Sequence, residues 1–357
     1  MNSKKPLLLS VIGTAALVLA GCAGGGSPSP TGEDPSGPRE MVVYGSSGAI
    51  EDAMVNDLLP QFEEINNVSV TYVGMPASQA LLRSESMRSA PEASLVLANG
   101  LVADVGAEEG LWKELDLANM PTLAALPDIL MSDGKAAVTG LWTVGIAYNH
   151  DTYAANGLTP PSDWADLCDP ALAGRVVQYD IGWGYTAPFL YAWNAELGGD
   201  YDDFAPVMDA LADCKGNFQS IAPAAADFDQ AFSAGVAWAG MQASMRGGIA
   251  IDAGVPVTMV YPASGTPRMV TPGMVPEGAP AADLGEKLLD FLLTPEAQAI
   301  YAGTQFYVPV NPDTELPEEV AAVLPDLDDV NLVDIDWIRL QDALEALTVE
   351  WQQRILG

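Results

Sequence analysis

The sequence predicts an α/β fold arranged as two lobes, and three observations carry that reading. Short β-type runs alternate with segments of helical periodicity from Met41 onward. Hydrophobic residues make up 49% of the chain against 17% charged, enough apolar material for a sizeable core. At 357 residues the chain exceeds the length at which one core stops growing, so it is expected to divide.

The N-terminal element comes first. Lys4 and Lys5 precede an apolar run, Pro6 to Ala20, that ends in Leu19-Ala20-Gly21-Cys22. A basic head, a short apolar core and small residues before a cleavage point make a secretory signal. The run is shorter than the roughly 20 residues that a membrane span requires. Leu-Ala-Gly-Cys resembles the lipobox of bacterial lipoproteins, which implies that residues 1–21 are removed and that Cys22 carries a diacylglycerol anchor on the outer face of the membrane. Ala23 to Arg39 is rich in Gly, Ser and Pro, so 22–40 is expected to be a flexible tether.

Beyond the tether, Met41 to Tyr44 is a β-type run and Gly45 to Gly48 a turn. Ile50 to Ile65 follows, with Met54, Leu58, Phe62 and Ile65 at helical spacing. Val68 to Val73 is the next strand, Ser78 to Ser89 the next helix and Leu95 to Ala98 the third strand. Strands separated by helices need crossover connections, which predicts a mostly parallel sheet. Ligands of such sheets sit beyond the carboxyl ends of the strands. The turns there supply Tyr44, Ser46, Ser47 and Asn99 as candidate ligand-binding residues.

A net charge of −34 disfavours nucleic acid and anionic lipid headgroups as partners. With Cys22 lipidated, two of the three cysteines remain, Cys168 and Cys214, and an even remainder in an oxidising compartment predicts one disulfide. One histidine, His150, and no Cys-x-x-Cys spacing give no metal site. No Gly-x-Ser-x-Gly elbow or Walker-type phosphate loop is present, so neither a catalytic residue nor a cofactor is assigned. An exported enzyme on the same scaffold is the competing class, because a fold alone does not fix function.

Three stretches carry a family resemblance: Leu141 to Asn149 (LWTVGIAYN), Pro160 to Val176, and Pro256 to Pro267 followed by Ala281 to Asn311. In this order they are similar to the type II periplasmic-binding-protein folds of ABC-importer receptors for iron, polyamines and phosphonates. The resemblance implies two α/β lobes in a Venus-flytrap arrangement, with crossover hinge segments at Trp142 to Gly145 and Tyr261 to Pro267. Lobe one is then 41–141 plus 266–312, and lobe two is 144–262 plus 315–357. It also implies a monomer that captures a small solute and passes it to a membrane permease, touching the membrane through its lipid alone. Trp142, at the crossover, joins the candidate site.

Ligand chemistry comes from two further stretches. Tyr179 to Tyr185 reads YDIGWGY, in which the glycines admit close backbone approach and Trp183 and Tyr185 offer a stacking or cation-π wall. The alternative is that both rings seal the core. Asp180 could pair with an amine. Trp238 to Arg246 (WAGMQASMR) lies where polyamine-type relatives carry cleft residues, but Trp238, Gln242, Ser244 and Arg246 replace their pattern. Arg246 presents a fork suited to carboxylate or phosphonate oxygens, or it pairs with a surface acid. Asp180 with Arg246 suits an amine-containing solute such as a polyamine, an aminophosphonate or another zwitterion. An anionic solute or ferric iron is the alternative, with Tyr44, Tyr185 and Tyr307 as iron ligands only if they converge.

Overall fold

The computed structural model describes residues 37–357; the expected signal 1–21, the lipidation site Cys22 and most of the tether lie outside the described residues. Among the described residues no helix is long and apolar enough to cross a membrane. Strand β1 (Arg39–Gly45) begins inside the expected tether, because Arg39 pairs with Val68 on the neighbouring strand and forms a two-pronged ion pair with Asp283 at 2.7 Å.

The first sheet collects β1, β2 (Val68–Gly74), β3 (Leu95–Leu97), β4 (Leu130–Met131) and β5 (Ala136–Trp142). The second collects β6 (Val144–Asn149), β7 (Val176–Tyr179), β8 (Phe218–Ala222), β9 (Ala239–Ala243) and β10 (Val257–Val260). The chain then passes β11 (Thr266–Pro267), returns to the first sheet as β12 (Met269–Met274), and later forms β13 (Leu332–Val333) beside β11. The strand orders are β2-β1-β3-β12-β5-β4 and β10-β6-β9-β7-β8. The principal helices are α1 (Leu59–Asn66), α2 (Ala77–Ser86), α3 (Gly100–Glu108), α4 (Thr186–Glu196), α5 (Ala205–Asp213), α6 (Ala225–Ser233), α7 (Ser244–Asp252), α8 (Ala282–Leu292), α9 (Pro295–Gln305) and α10 (Trp337–Trp351).

Neither sheet is purely parallel: β4 is an antiparallel hairpin partner of β5, and the other exceptions, β6 and β12, have one cause. β5 leads into β6 through a single residue, Thr143, so β6 starts at the edge where β5 stops and must run away from it. It is therefore antiparallel to β9, with Val144 opposite Ala243. β12 returns from the second sheet in the same way and is antiparallel to both β3 and β5. The carboxyl ends of β1, β3 and β5 consequently face the carboxyl ends of β7, β8 and β9 across the crossovers.

Packing follows the sequence periodicity, with one departure. Met54, Leu58 and Phe62 are fully buried as their spacing predicts, but Ile65 is 72% exposed. A π-helical turn over Met54–Leu58 widens the helix by a residue and rotates its last turn away from the core. Residues 315–357, expected on the second lobe, reach both halves. β13 runs beside β11, and α10 packs on α3 of the first half and α4 of the second. Gly100, the first residue of α3, has no side chain where the Trp337 indole lies, so even a methyl group there would meet that ring.

Thr143 ties the crossovers together. Its hydroxyl is hydrogen-bonded to the Thr266 hydroxyl at 2.7 Å and the Pro267 carbonyl at 2.8 Å, and all of it is buried. Thr143→Val keeps the shape and leaves those partners unpaired, so a loss of about 1–3 kcal/mol is expected in urea unfolding.

Cys168 and Cys214 are joined by a disulfide with Cα atoms 5.1 Å apart, closing a sequence separation of 46. Cys168→Ser with Cys214→Ser is expected to lower stability by about 2–4 kcal/mol, the range for a loop of this length. Peptide mapping of unreduced protein that finds both cysteines free would contradict the bond.

Candidate functional site

The facing strand ends bring together much of what the sequence singles out. Asn99 follows β3 and caps α3, its Oδ1 accepting the Val102 N–H at 3.1 Å. Across the gap, the loop after β7 holds Asp180 to Tyr185. Asn99, Leu101, Trp183, Ala187, Trp337 and Gln341 all line one cavity of about 170 Å³, so its walls come from the first half, the second half and the C-terminal helix. Nothing before the fold itself marks Trp337 or Gln341 for this role.

Aromatic rings organise the loop. Trp183 stacks on Tyr179 at 5.4 Å and 11°, and Tyr179 stacks in turn on Phe228 at 5.0 Å and 10°. Tyr185 meets Trp183 and Tyr179 edge-on, and Trp142 at the end of β5 meets Tyr185 edge-on at 5.7 Å. Such edge and offset contacts suit the ring quadrupoles. The Trp183 indole N–H is buried and has no hydrogen-bond partner among the described residues. Gln242 anchors the group: its Oε1 accepts the Tyr179 hydroxyl at 3.2 Å, the Tyr185 hydroxyl at 3.3 Å and the Ala243 N–H at 3.0 Å. Burial holds the Tyr185 hydroxyl above its usual pKa, so it is a neutral donor rather than a phenolate.

Other candidates stand apart from this group. Tyr44 points to the opposite face of β1 from Val43 and donates its hydroxyl to Glu92 at 2.8 Å, under the Arg83 guanidinium. Burial first, and then that bond, push its hydroxyl up to about 12. Side chains alternate along a strand, which is why the last core residue of β1 is not the one that faces the gap. Trp238 precedes β9 and sits beside Asn149 at the far end of β6, stacked under Arg175 at 4.7 Å. Five strand residues separate it from the facing edge, about 16 Å. The expectation that it lines the cleft is therefore not met.

Ser46 and Ser47 lie at the facing edge after β1; the Ser46 carbonyl accepts the Tyr72 hydroxyl at 2.9 Å, and Ser47 is exposed. Asp180 turns back on its own loop, accepting the Gly182 N–H at 3.1 Å. Arg246, on α7, pairs with Asp229 at 3.2 Å and lines a different cavity, together with Gln242. Tyr307 is buried, which pushes its hydroxyl up to about 12, and it packs on Tyr301. Tyr44, Tyr185 and Tyr307 thus bond to different neighbours and do not converge.

Comparison with known proteins places this arrangement. Curated proteins give no match. An ABC transporter protein from Clostridium perfringens is similar in structure with a TM-score of 0.74 at 21% identity, covering 88% of this chain and 99% of that one. A GABA receptor gives 0.73 at 20% identity, covering 88% and 96%. A Bordetella ferric binding protein gives 0.69 at 18% identity, covering 88% and 98%. Residues 57–325 match the family model described as bacterial extracellular solute-binding protein. Most of the chain lies within that match, and the two exchanged sheets are those of a type II periplasmic-binding-protein fold, so the chain belongs to the bacterial extracellular solute-binding proteins.

Proposed function

We propose that this chain is the receptor of an ABC importer, exported and anchored through Cys22, which captures a small amine-containing solute between its lobes and hands it to a membrane permease. The observation that carries the reading is the cavity shared by Asn99, Trp183 and Trp337, built from both halves of the chain. A solute there touches both halves at once and favours the arrangement that encloses it, which is how a permease would distinguish loaded from empty receptor. On this reading the lobes are 41–141 with 266–312 and 144–262, joined by hinge segments at Trp142 to Gly145 and Tyr261 to Pro267, while residues 315–357, first assigned to the second lobe, touch both.

Within the amine class, a zwitterion fits better than a polyamine. The N-termini of α3 and α4 both border the cavity, through Asn99 and Leu101 on one side and Ala187 on the other, and helix N-termini favour the anionic end of a ligand. Trp183 lines the cavity and supplies an aromatic ring for the cationic end, with Asp180 on the same loop. A purely anionic solute gains less, because Arg246 lines a different cavity and no arginine or lysine lines this one. A GABA receptor among the similar structures is in keeping with a zwitterion.

Calorimetric titration with γ-aminobutyrate, 2-aminoethylphosphonate, putrescine and ferric citrate tests the reading, with binding expected for one of the first two. Trp183→Ala should then weaken that binding by about 1–3 kcal/mol while costing the unliganded protein less than the roughly 3–5 kcal/mol lost on deleting a core aromatic. Normal affinity with a large loss of stability would make Trp183 a core residue.

Anchoring is tested separately. Cys22→Ser is expected to release the protein from the membrane fraction, and an unmodified Cys22 in membrane-extracted protein, read by mass spectrometry, would overturn lipidation.

A further inference from the structure

We propose a second small-molecule site, inside the second half of the chain between α6 and α7, that takes an apolar α-amino acid. The cavity that Arg246 and Gln242 line measures about 160 Å³. Its interior is apolar, walled by Phe228, Phe232, Ile249, Ala250, Val255 and Val257. A cavity of about 150 Å³ with such a lining admits a benzene-sized group.

Its polar groups complement a zwitterion. Arg246 and Asp229 form a single N–H···O contact at 3.2 Å, which engages one guanidinium nitrogen and one carboxylate oxygen. Gln242 is 3% exposed. The Ala243 N–H and the two tyrosine hydroxyls hold its Oε1, fixing which end of the amide is oxygen. That leaves the Nε2 of a nearly buried side chain on the cavity wall, with no acceptor bonded to it among the described residues. An ion pair of net zero charge matches a ligand of net zero charge: the ammonium goes to Asp229, the carboxylate to Arg246 and the Gln242 amide, and the side chain to the apolar interior. A bare anion or a bare amine would leave one member of the pair without its counter-charge.

This site is separate from the cavity between the lobes and stands independently of that reading. The Tyr179 ring is stacked between Trp183, which lines the interlobe cavity, and Phe228, which lines this one.

The test is calorimetric titration of the folded, full chain with L-leucine, 3-methylbutylamine and 4-methylpentanoate, which share one apolar body and differ in the head group. Leucine is expected to bind at one site, and each single-charge probe about tenfold more weakly or not at all. Ala250→Phe, which fills the cavity, should abolish leucine binding, and Arg246→Gln should weaken it about tenfold. Arg246 lies at the rim, so that variant remains informative if Ala250→Phe does not fold. Trp183→Ala should leave leucine binding unchanged, even though it weakens binding of a zwitterion between the lobes. No leucine binding at millimolar concentration, binding unchanged in Arg246→Gln, or binding lost in Trp183→Ala but kept in Ala250→Phe would each overturn the proposal. If leucine binds as expected and the other solutes do not, the reading of the interlobe cavity fails and this one stands.

Discussion

The hydrogen bonds of Thr143 set the terms for the rest of the molecule. One buried residue is the whole connection from the first sheet to the second, and its hydroxyl grips the returning crossover at Thr266 and Pro267. Its backbone N–H and carbonyl are both bonded to Ser244, at the start of α7. Both crossovers and the first residue after β9 therefore meet at one point. Trp142 precedes that point directly, which brings its ring against Tyr185. Because a buried hydroxyl stripped of partners is costly, the knot resists separation far more than a surface contact would.

From that point outward, electrostatics and stacking divide the labour. The chain is strongly acidic, yet the residues around the facing strand ends are mainly aromatic and amide side chains, with Gln242 ordering two tyrosine hydroxyls. Neutral tyrosines and a fixed amide hold their geometry without a desolvated charge, whose burial would be expensive. The charged pair that does occur nearby, Asp229 with Arg246, sits where water reaches it.

The fold was legible in the sequence because it rests on local signals. Strand and helix periodicity located β1, β2, β3 and the helices between them, and the Leu141 to Asn149 stretch marked the crossover. Direction was not legible: that β6 and β12 run antiparallel follows from how short the crossovers are in space. The candidate site was half legible. Asn99, Trp142, Trp183 and Tyr185 lie at strand ends, where turn chemistry is visible. Tyr44 and Trp238 are near strand ends too, but the face of a strand and the end of a strand are three-dimensional facts, and each lies on the wrong one. Trp337 and Gln341 were invisible because the C-terminal helix reaches the cavity only through its packing on Gly100 and α4. The Asp229 partner of Arg246 lies seventeen positions upstream on another helix, beyond any local pattern.

The exchange of strands between the sheets also fixes an order of events during synthesis. β12 lies between β3 and β5, so the first sheet has a gap at its centre until residues 269–274 have been made. The second sheet is drawn from one continuous stretch, 144–260, and is complete before then. The half encoded first is thus the half that closes last. For a chain that crosses a membrane from its N-terminus, this is an advantage: β1, β2 and β3 can pair among themselves, but the leading half cannot complete its final sheet until the trailing strand has followed it.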